Sequence, residues 1–233
     1  MPAQAALSSS IFGDLSPLPR GPHTLSRPHV RARQRARLLA ALVGVVAERG
    51  YLKTTITEVV RQAGVSPNVF YEHFDGLEEC FVAAYDAFTD VLAERLVAAF
   101  LTDADWTETI AGALDAYLGT LDEDPEMARV FLIEFDAVGP AARRQRHDVF
   151  VAFADLLRQQ HERIRAQDPK LGTLPDSIWL GFVLAVRAVV CELLERPGKP
   201  VSPLSAAPDL VTWFLATIYG ASRADRASTP LQV

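Results

Sequence analysis

TTITEVVRQAGVSPNVFYEHF, residues 54–74, packs two helix starts, a glycine stop and a proline into one short segment. Thr55-Ile56-Thr57-Glu58 matches a capping box, in which a hydroxyl and a carboxylate three residues apart satisfy each other's backbone donors. The helix it opens runs to about Ala63, with Ile56, Val59, Val60 and Ala63 on one face. Gly64 ends it, Ser66 is placed to cap the next helix, and Pro67 falls at the first helical position, where its missing N–H costs nothing. The third helix, about 67–73, spans only two turns and is too short to stand alone. Val69, Phe70 and Phe74 must therefore pack inward, which turns Asn68, Tyr71 and Glu72 outward. Two short helices across such a turn predict a helix-turn-helix whose second helix enters the DNA major groove. Ser66, Pro67 and Asn68 form the end that meets base edges, and an asparagine can bond adenine through two atoms. Tyr71 and His73, with Thr54 and Thr55 at the preceding helix N-terminus, are placed to grip phosphate oxygens.

Upstream, Leu39, Leu42, Val43 and Val46 repeat at helical spacing from about residue 30, and Gly50 closes that helix. The chain carries −6 overall, yet residues 27–73 hold eight basic and three acidic residues. That segment is thus +5 and the remainder −11, as expected if one part of the molecule meets a polyanion. Arg31, Arg33 and Arg35 precede the apolar stripe as a candidate DNA-contacting arm. Residues 1–28, rich in Pro, Ser and Gly without apolar period, read as a mostly disordered arm.

Downstream, Phe81, Ala84, Tyr85, Phe88, Leu92, Leu96 and Phe100 mark a long helix to about 101. Further helices are predicted at about 106–121, 125–138, 140–167, 176–196 and 206–220, separated by Gly139-Pro140, Asp168-Pro169 and Pro197-Gly198. No alternating strand pattern emerges, so the expected fold is all-α with about nine helices.

At 233 residues, 49% hydrophobic and 22% charged, the composition is that of a globular protein. No uninterrupted apolar window of about 18 residues is present and the N-terminus lacks a secretory pattern, so the expectation is a cytoplasmic protein without a membrane partner. Cys80 and Cys191 read as buried thiols. The histidines have no metal-ligand spacing, and phosphate loop, nucleophile elbow and zinc-helix motifs are all missing. No catalytic residue, metal or cofactor is expected, and the protein is not expected to be an enzyme.

Residues 35–79 resemble the TetR family of bacterial transcriptional regulators, through the GY pair, two threonines, AGVS, an aromatic-tyrosine pair, a phenylalanine three residues on and a paired-acid helix start. The resemblance implies a three-helix DNA-binding domain at 29–76 after the arm at 1–28. It also implies a ligand-binding and dimerisation domain at 77–222, opened by a connector helix at 77–101, with a tail at 223–233. Carried over by position, the DNA residues are Thr54, Thr55, Ser66, Asn68, Tyr71 and His73, with Arg35 and its neighbours as an arm. One departure stands out: family members often place a phosphate-reaching lysine near the connector's start, where this chain has Leu77 beside Asp75, Glu78 and Glu79. The upstream arginines are the expected substitutes.

In the remainder, Trp106, Tyr117, Phe131, Phe135, Phe150, Phe153, Trp179 and Phe182 supply aromatic surface at helical spacing, either as core or as the wall of an effector site. Arg187 interrupts the apolar run WLGFVLAVRAVVCELL. Glu134 and a ligand carboxylate are both candidate partners for it, beside snorkelling to solvent. The resemblance implies dimerisation through the last two long helices, and two half-sites are what give specificity to a few base contacts. Val183, Val186, Val190 and Leu194, with Trp213 and Ile218, are the expected interface. The reading is a homodimeric, ligand-responsive regulator, a repressor released from a palindromic operator by a partly apolar small molecule. A nucleoid-type or structural DNA-binding protein without a ligand is the alternative.

Overall fold

The computed structural model describes residues 2–17, 26–101, 105–168, 171–196 and 201–227, with side chains described between 7 and 217. Among the described residues the fold is all-α, with no strand. The helices are α1 (Pro2–Phe12), α2 (Arg27–Arg49), α3 (Ile56–Ala63), α4 (Pro67–Tyr71) and α5 (Leu77–Phe100), followed by α6 (Trp106–Glu123), α7 (Pro125–Leu132), α8 (Pro140–Arg165), α9 (Asp176–Glu195) and α10 (Ala207–Ala227). Short 3-10 turns occupy Tyr51–Lys53, Glu134–Ala137 and Pro203–Ala206. The chain forms two compact units, Met1–Leu92 with Glu123–Gln145, and Ala93–Asp122 with Arg146–Val233.

In the first unit, local chemistry sets the helix ends. Ser26 accepts the His29 N–H to start α2, and Gly50 leaves it at φ +80. Thr55 and Glu58 form the full capping box of α3, and Gly64 ends that helix in the left-handed region at φ 64, ψ 40. Leu38, Leu39, Leu42 and Val46 of α2 and Val59, Val60 and Ala63 of α3 are buried, with α2 and α3 packed together. Phe81, Tyr85 and Phe88 of α5 meet Phe131 and Phe135 in an aromatic cluster, the Tyr85 and Phe135 rings 4.4 Å apart. Asp124 caps α7 by accepting the Met127 N–H at 3.0 Å. The single helix expected over 125–138 instead breaks at Ile133 and continues as the 3-10 turn.

The arm is corrected by the structure. Residues 2–12 are helical where disorder was expected, α1 packs on α2, and Leu7, Ile11 and Phe12 are buried. The apolar signal was one turn long, Leu7 to Ile11, and three serines diluted it below any sustained period. Residues 18–25 of the expected arm lie outside the described residues.

In the second unit, Ile110, Leu114, Leu118 and Leu121 of α6, Leu157 and His161 of α8, Trp179, Phe182, Val186 and Val190 of α9, and Leu210 and Phe214 of α10 are buried. Gln160 and Arg163 donate to the Phe100 carbonyl, at 3.4 and 3.0 Å, and so satisfy an acceptor at the C-terminal end of α5. Helix α9 is long and apolar enough to cross a membrane by length and composition, although Arg187 and Glu192 interrupt its apolar run. Only a minority of its apolar window is buried.

Candidate nucleic-acid interface

Helix α4 is held from beneath and from behind. Phe70 and Phe74 are buried, their rings 5.7 Å apart, and Phe70 meets Tyr71 edge-on at 5.6 Å. Arg31 of α2 donates to the Glu72 carbonyl at 2.9 Å, capping the far end of α4. This anchoring presents Ser66, Pro67, Asn68 and Tyr71 to solvent, and Tyr71 is 58% exposed although it is a large aromatic. Ser66 stands at the N-cap position, but its side chain makes no capping bond, contrary to the sequence expectation. Its hydroxyl is therefore not spent on the helix.

The phosphate candidates divide. Thr54 is buried, and its hydroxyl donates to the Gly50 carbonyl at 3.0 Å. Thr55 is exposed, with its hydroxyl committed to Glu58 in the capping box. The two threonines thus shape the start of α3, and their backbone N–H groups are likewise bonded within the protein, Thr54 to the Tyr51 carbonyl and Thr55 to the Glu58 carboxylate. His73 is half-buried, and its Nε2 is sealed from solvent without a hydrogen-bond partner among the described residues. Burial first, and then repulsion from Arg31 and Arg35, hold its pKa below the usual histidine range, so it sits neutral at pH 7.

The arginines are largely employed within the protein. Arg33 forms an ion pair with Asp14. Arg35 lies over the Phe74 ring at 5.5 Å while remaining exposed. Arg49 pairs with Glu58 and extends the capping box. At the connector's start Leu77 is half-buried, Glu78 and Glu79 occupy the first turn of α5, and Glu79 accepts the Asp75 N–H at 2.5 Å. Sequence reasoning missed Asp14 and Glu134 as parts of this unit. The Glu134 carboxylate accepts the Tyr51 N–H at 2.9 Å and so grips the turn that leads into α3. An 83-residue separation leaves no local pattern from which that bond could be read.

The candidate effector residues are divided between the two units. Phe131, Glu134 and Phe135 belong to the first unit, and Phe131 and Phe135 are fully buried in its aromatic cluster. Tyr117, Phe150, Phe153, Trp179, Phe182 and Arg187 belong to the second. There Trp179 and Phe182 are buried, whereas Tyr117, Phe150 and Phe153 are half-buried. The Phe150 ring receives the Arg146 and Arg187 guanidiniums, each at 5.9 Å. Glu134 accepts the Tyr51 backbone N–H, and Arg187, for which it was suggested as a partner, lies over the Phe150 ring.

The expected interface residues differ in their exposure. Val186 and Val190 are buried in their own unit, sharing one helical stripe with Trp179 and Phe182. Val183 and Leu194 are half-buried, and the exposed large apolar residues among the described side chains of α9 and α10 are Leu184, Val189 and Trp213. The Ile218 side chain lies outside the described residues. Cys80 is buried with its thiol pushed up to about 12 by burial, and neither cysteine forms a disulfide.

A basic segment, a short anchored helix with an exposed polar N-terminal end and a glycine-opened turn define a helix-turn-helix DNA-binding unit. Residues 38–84 match the family described as bacterial regulatory proteins, tetR family, and the chain carries that family's N-terminal domain. A curated relative, the HTH-type transcriptional activator FasR of Mycolicibacterium smegmatis, is 29% identical over 100 residues, which span 43% of this chain and 46% of the relative. The match thus spans about half the length of that protein. Among solved structures, the fatty acid degradation regulator FadR from Bacillus halodurans superposes with a TM-score of 0.72 at 16% identity, over 78% of this chain and 94% of that one. FadR from Bacillus subtilis, in complex with stearoyl-CoA, gives 0.70 at 16% identity, over 78% and 98%. A tetR-family regulatory protein from Rhodococcus RHA1 gives 0.65 at 20% identity, over 80% and 97%. At such identities these structures share the fold.

Proposed function

We propose that the protein is a ligand-responsive transcriptional regulator that works in the cytoplasm as a homodimer on a palindromic operator, and that a partly apolar small molecule releases it. The observation that carries the reading is the anchored α4, which turns Ser66, Pro67, Asn68 and Tyr71 outward within the tetR-family segment. Asn68 and Ser66 address base edges, Tyr71 addresses the backbone or a thymine methyl, and Arg35 addresses phosphate. The stearoyl-CoA bound to a fold relative supports an effector with an apolar body.

Selection of bound fragments from a random DNA pool tests the first half of this reading. An inverted repeat with half-sites about one helical turn apart is the expected product. Uniform recovery of unrelated sequences would instead mark a nucleoid-type binder. A compound screen for release of the selected fragment tests the second half. We read the sign of regulation as repression, which predicts that reporter output rises when the gene is deleted; output that falls marks an activator, as the FasR relative is named.

A further inference from the structure

We infer that Trp106, Thr109 and His161 form the polar end of a ligand site in the second unit, one that takes a neutral oxygen function carried on a flat apolar body. The inference rests on the effector-binding reading above and narrows it to a chemical class. Each of the three side chains holds one buried atom with no hydrogen-bond partner among the described residues: the Trp106 Nε1, the Thr109 Oγ1 and the His161 Nε2. The residues are 2%, 1% and 2% exposed. Buried polar atoms in folded proteins are nearly always paired, so three orphans on neighbouring side chains of one unit call for a partner from outside the chain.

The three are neighbours by construction. Thr109 follows Trp106 by one turn on α6, which puts both on one face. His161 of α8 meets the Trp106 ring edge-on, the centroids 4.9 Å apart. Trp179 lies 5.0 Å from the His161 ring and 6.3 Å from Trp106, and Phe214 is 6.3 Å from Trp106. The surroundings are therefore aromatic on several sides and polar at these atoms.

The chemistry of the three atoms selects the guest. An indole N–H only donates, so the guest must offer an acceptor; a threonine hydroxyl serves as donor or acceptor. Desolvation in first place, and then the charge of Arg165, keep the His161 imidazole neutral at pH 7, its pKa pushed down to about 4. Among the described residues the cations nearest His161 are not buried with the trio: Arg163 is bonded to the Phe100 carbonyl, and Arg165, whose charge reaches His161 against that of Glu162, is exposed. A carboxylate or phosphate buried here would lack a counter-charge, whereas a ketone, ester or hydroxyl oxygen would meet two or three complementary groups. The aromatic walls favour a ring or planar group behind that oxygen.

The test uses the full chain with Trp213→Phe, which leaves Trp106 and Trp179 as the fluorescent reporters among the three tryptophans. Acetophenone and 1-phenylethanol are titrated beside ethylbenzene, which lacks the oxygen, and benzoate, which carries a charge. Saturable quenching by the ketone or the alcohol, at least about tenfold tighter than by either control, is the expected result. In Thr109→Val and His161→Phe that preference should shrink to about twofold, with melting temperatures confirming the fold. No binding by either oxygenated probe, equal binding of ketone and hydrocarbon, or a preference untouched by both substitutions would overturn the site and leave a bound water as the partner. Because binding is read directly, a probe that binds without altering operator affinity upholds the site and counts only against the effector reading.

Discussion

Tyr51 donates its backbone N–H to a carboxylate supplied from far along the chain, and that single acceptor ties the turn before α3 to the segment after α7. Glu134→Leu leaves the half-buried amide without a partner and is expected to cost about 1–3 kcal/mol, whereas Glu134→Gln keeps an acceptor and should lose less. Hydrogen exchange at the Tyr51 amide, read beside the melting temperature, separates this local loss from general destabilisation. His161 makes a second prediction, on pH. Its folded pKa of about 4 lies below the ordinary 6.5, so the unfolded chain takes up a proton first as the medium acidifies. Its contribution is complete above about pH 6.5 and declines toward pH 4, by up to about 3 kcal/mol. His161→Phe removes the titrating group, and the fall in stability across that window, followed by tryptophan fluorescence, should flatten; an unchanged slope would assign the acid sensitivity elsewhere.

Among the elements, the α3 to α4 turn is the most tightly specified. Gly64 is left-handed, and a Cβ there would stand 2.7 Å from the Arg37 Nη2, the flexible end of a side chain that can swing aside. Gly64→Ala should therefore cost about 1–2 kcal/mol, most of it backbone strain, with operator affinity falling as α4 loses its placement. The connector's first turn makes the complementary prediction. With Glu78 and Glu79 there and no basic residue in that turn, Leu77→Lys is expected to tighten DNA binding and steepen the plot of log affinity against log salt by about 0.9. An unchanged slope would mean that this turn lies away from phosphate. Legibility follows the same line. The capping box, the glycine stop, the proline start and the inward phenylalanines were all readable, because each is fixed by residues within a few positions of one another. The roles of Thr54, Ser66 and His73 were not, because which atoms a side chain spends inside the protein depends on what α2 and the Gly50 turn bring against it. Helix α1 escaped for another reason: its stability comes from packing on α2, and its own pattern is too brief to register.

For the molecule as a whole, helical periodicity placed the helices from α2 onward, apart from the break at Ile133, but could not say which of them cluster, and residues 123–145 join the first unit through side chains that read equally well as core or pocket. The association between copies is the property that this limits most. Periodicity alone makes α9 apolar nearly all round, and burial then assigns Val186 and Val190 to the core, leaving Leu184, Val189 and Trp213 outside. Val189, Leu193, Leu210 and Trp213 line a groove of about 510 Å³ between α9 and α10, and Trp213, 47% exposed, stacks on Phe182 at its edge. Arg196 and Asp209 also line it, and if these two helices form the dimer contact, two further charges placed on its apolar residues must be desolvated on association, twice over because the contact is symmetric. Val189→Glu combined with Trp213→Glu is expected to convert the dimer to a monomer in sedimentation. It should leave the helical content intact, since both side chains are exposed in the single chain. Affinity for a two-half-site operator should fall by about a hundredfold or more, because one reading helix supplies too few base contacts, while binding to a single half-site stays within a few-fold. A double variant that still sediments as a dimer would move the contact away from α9 and α10.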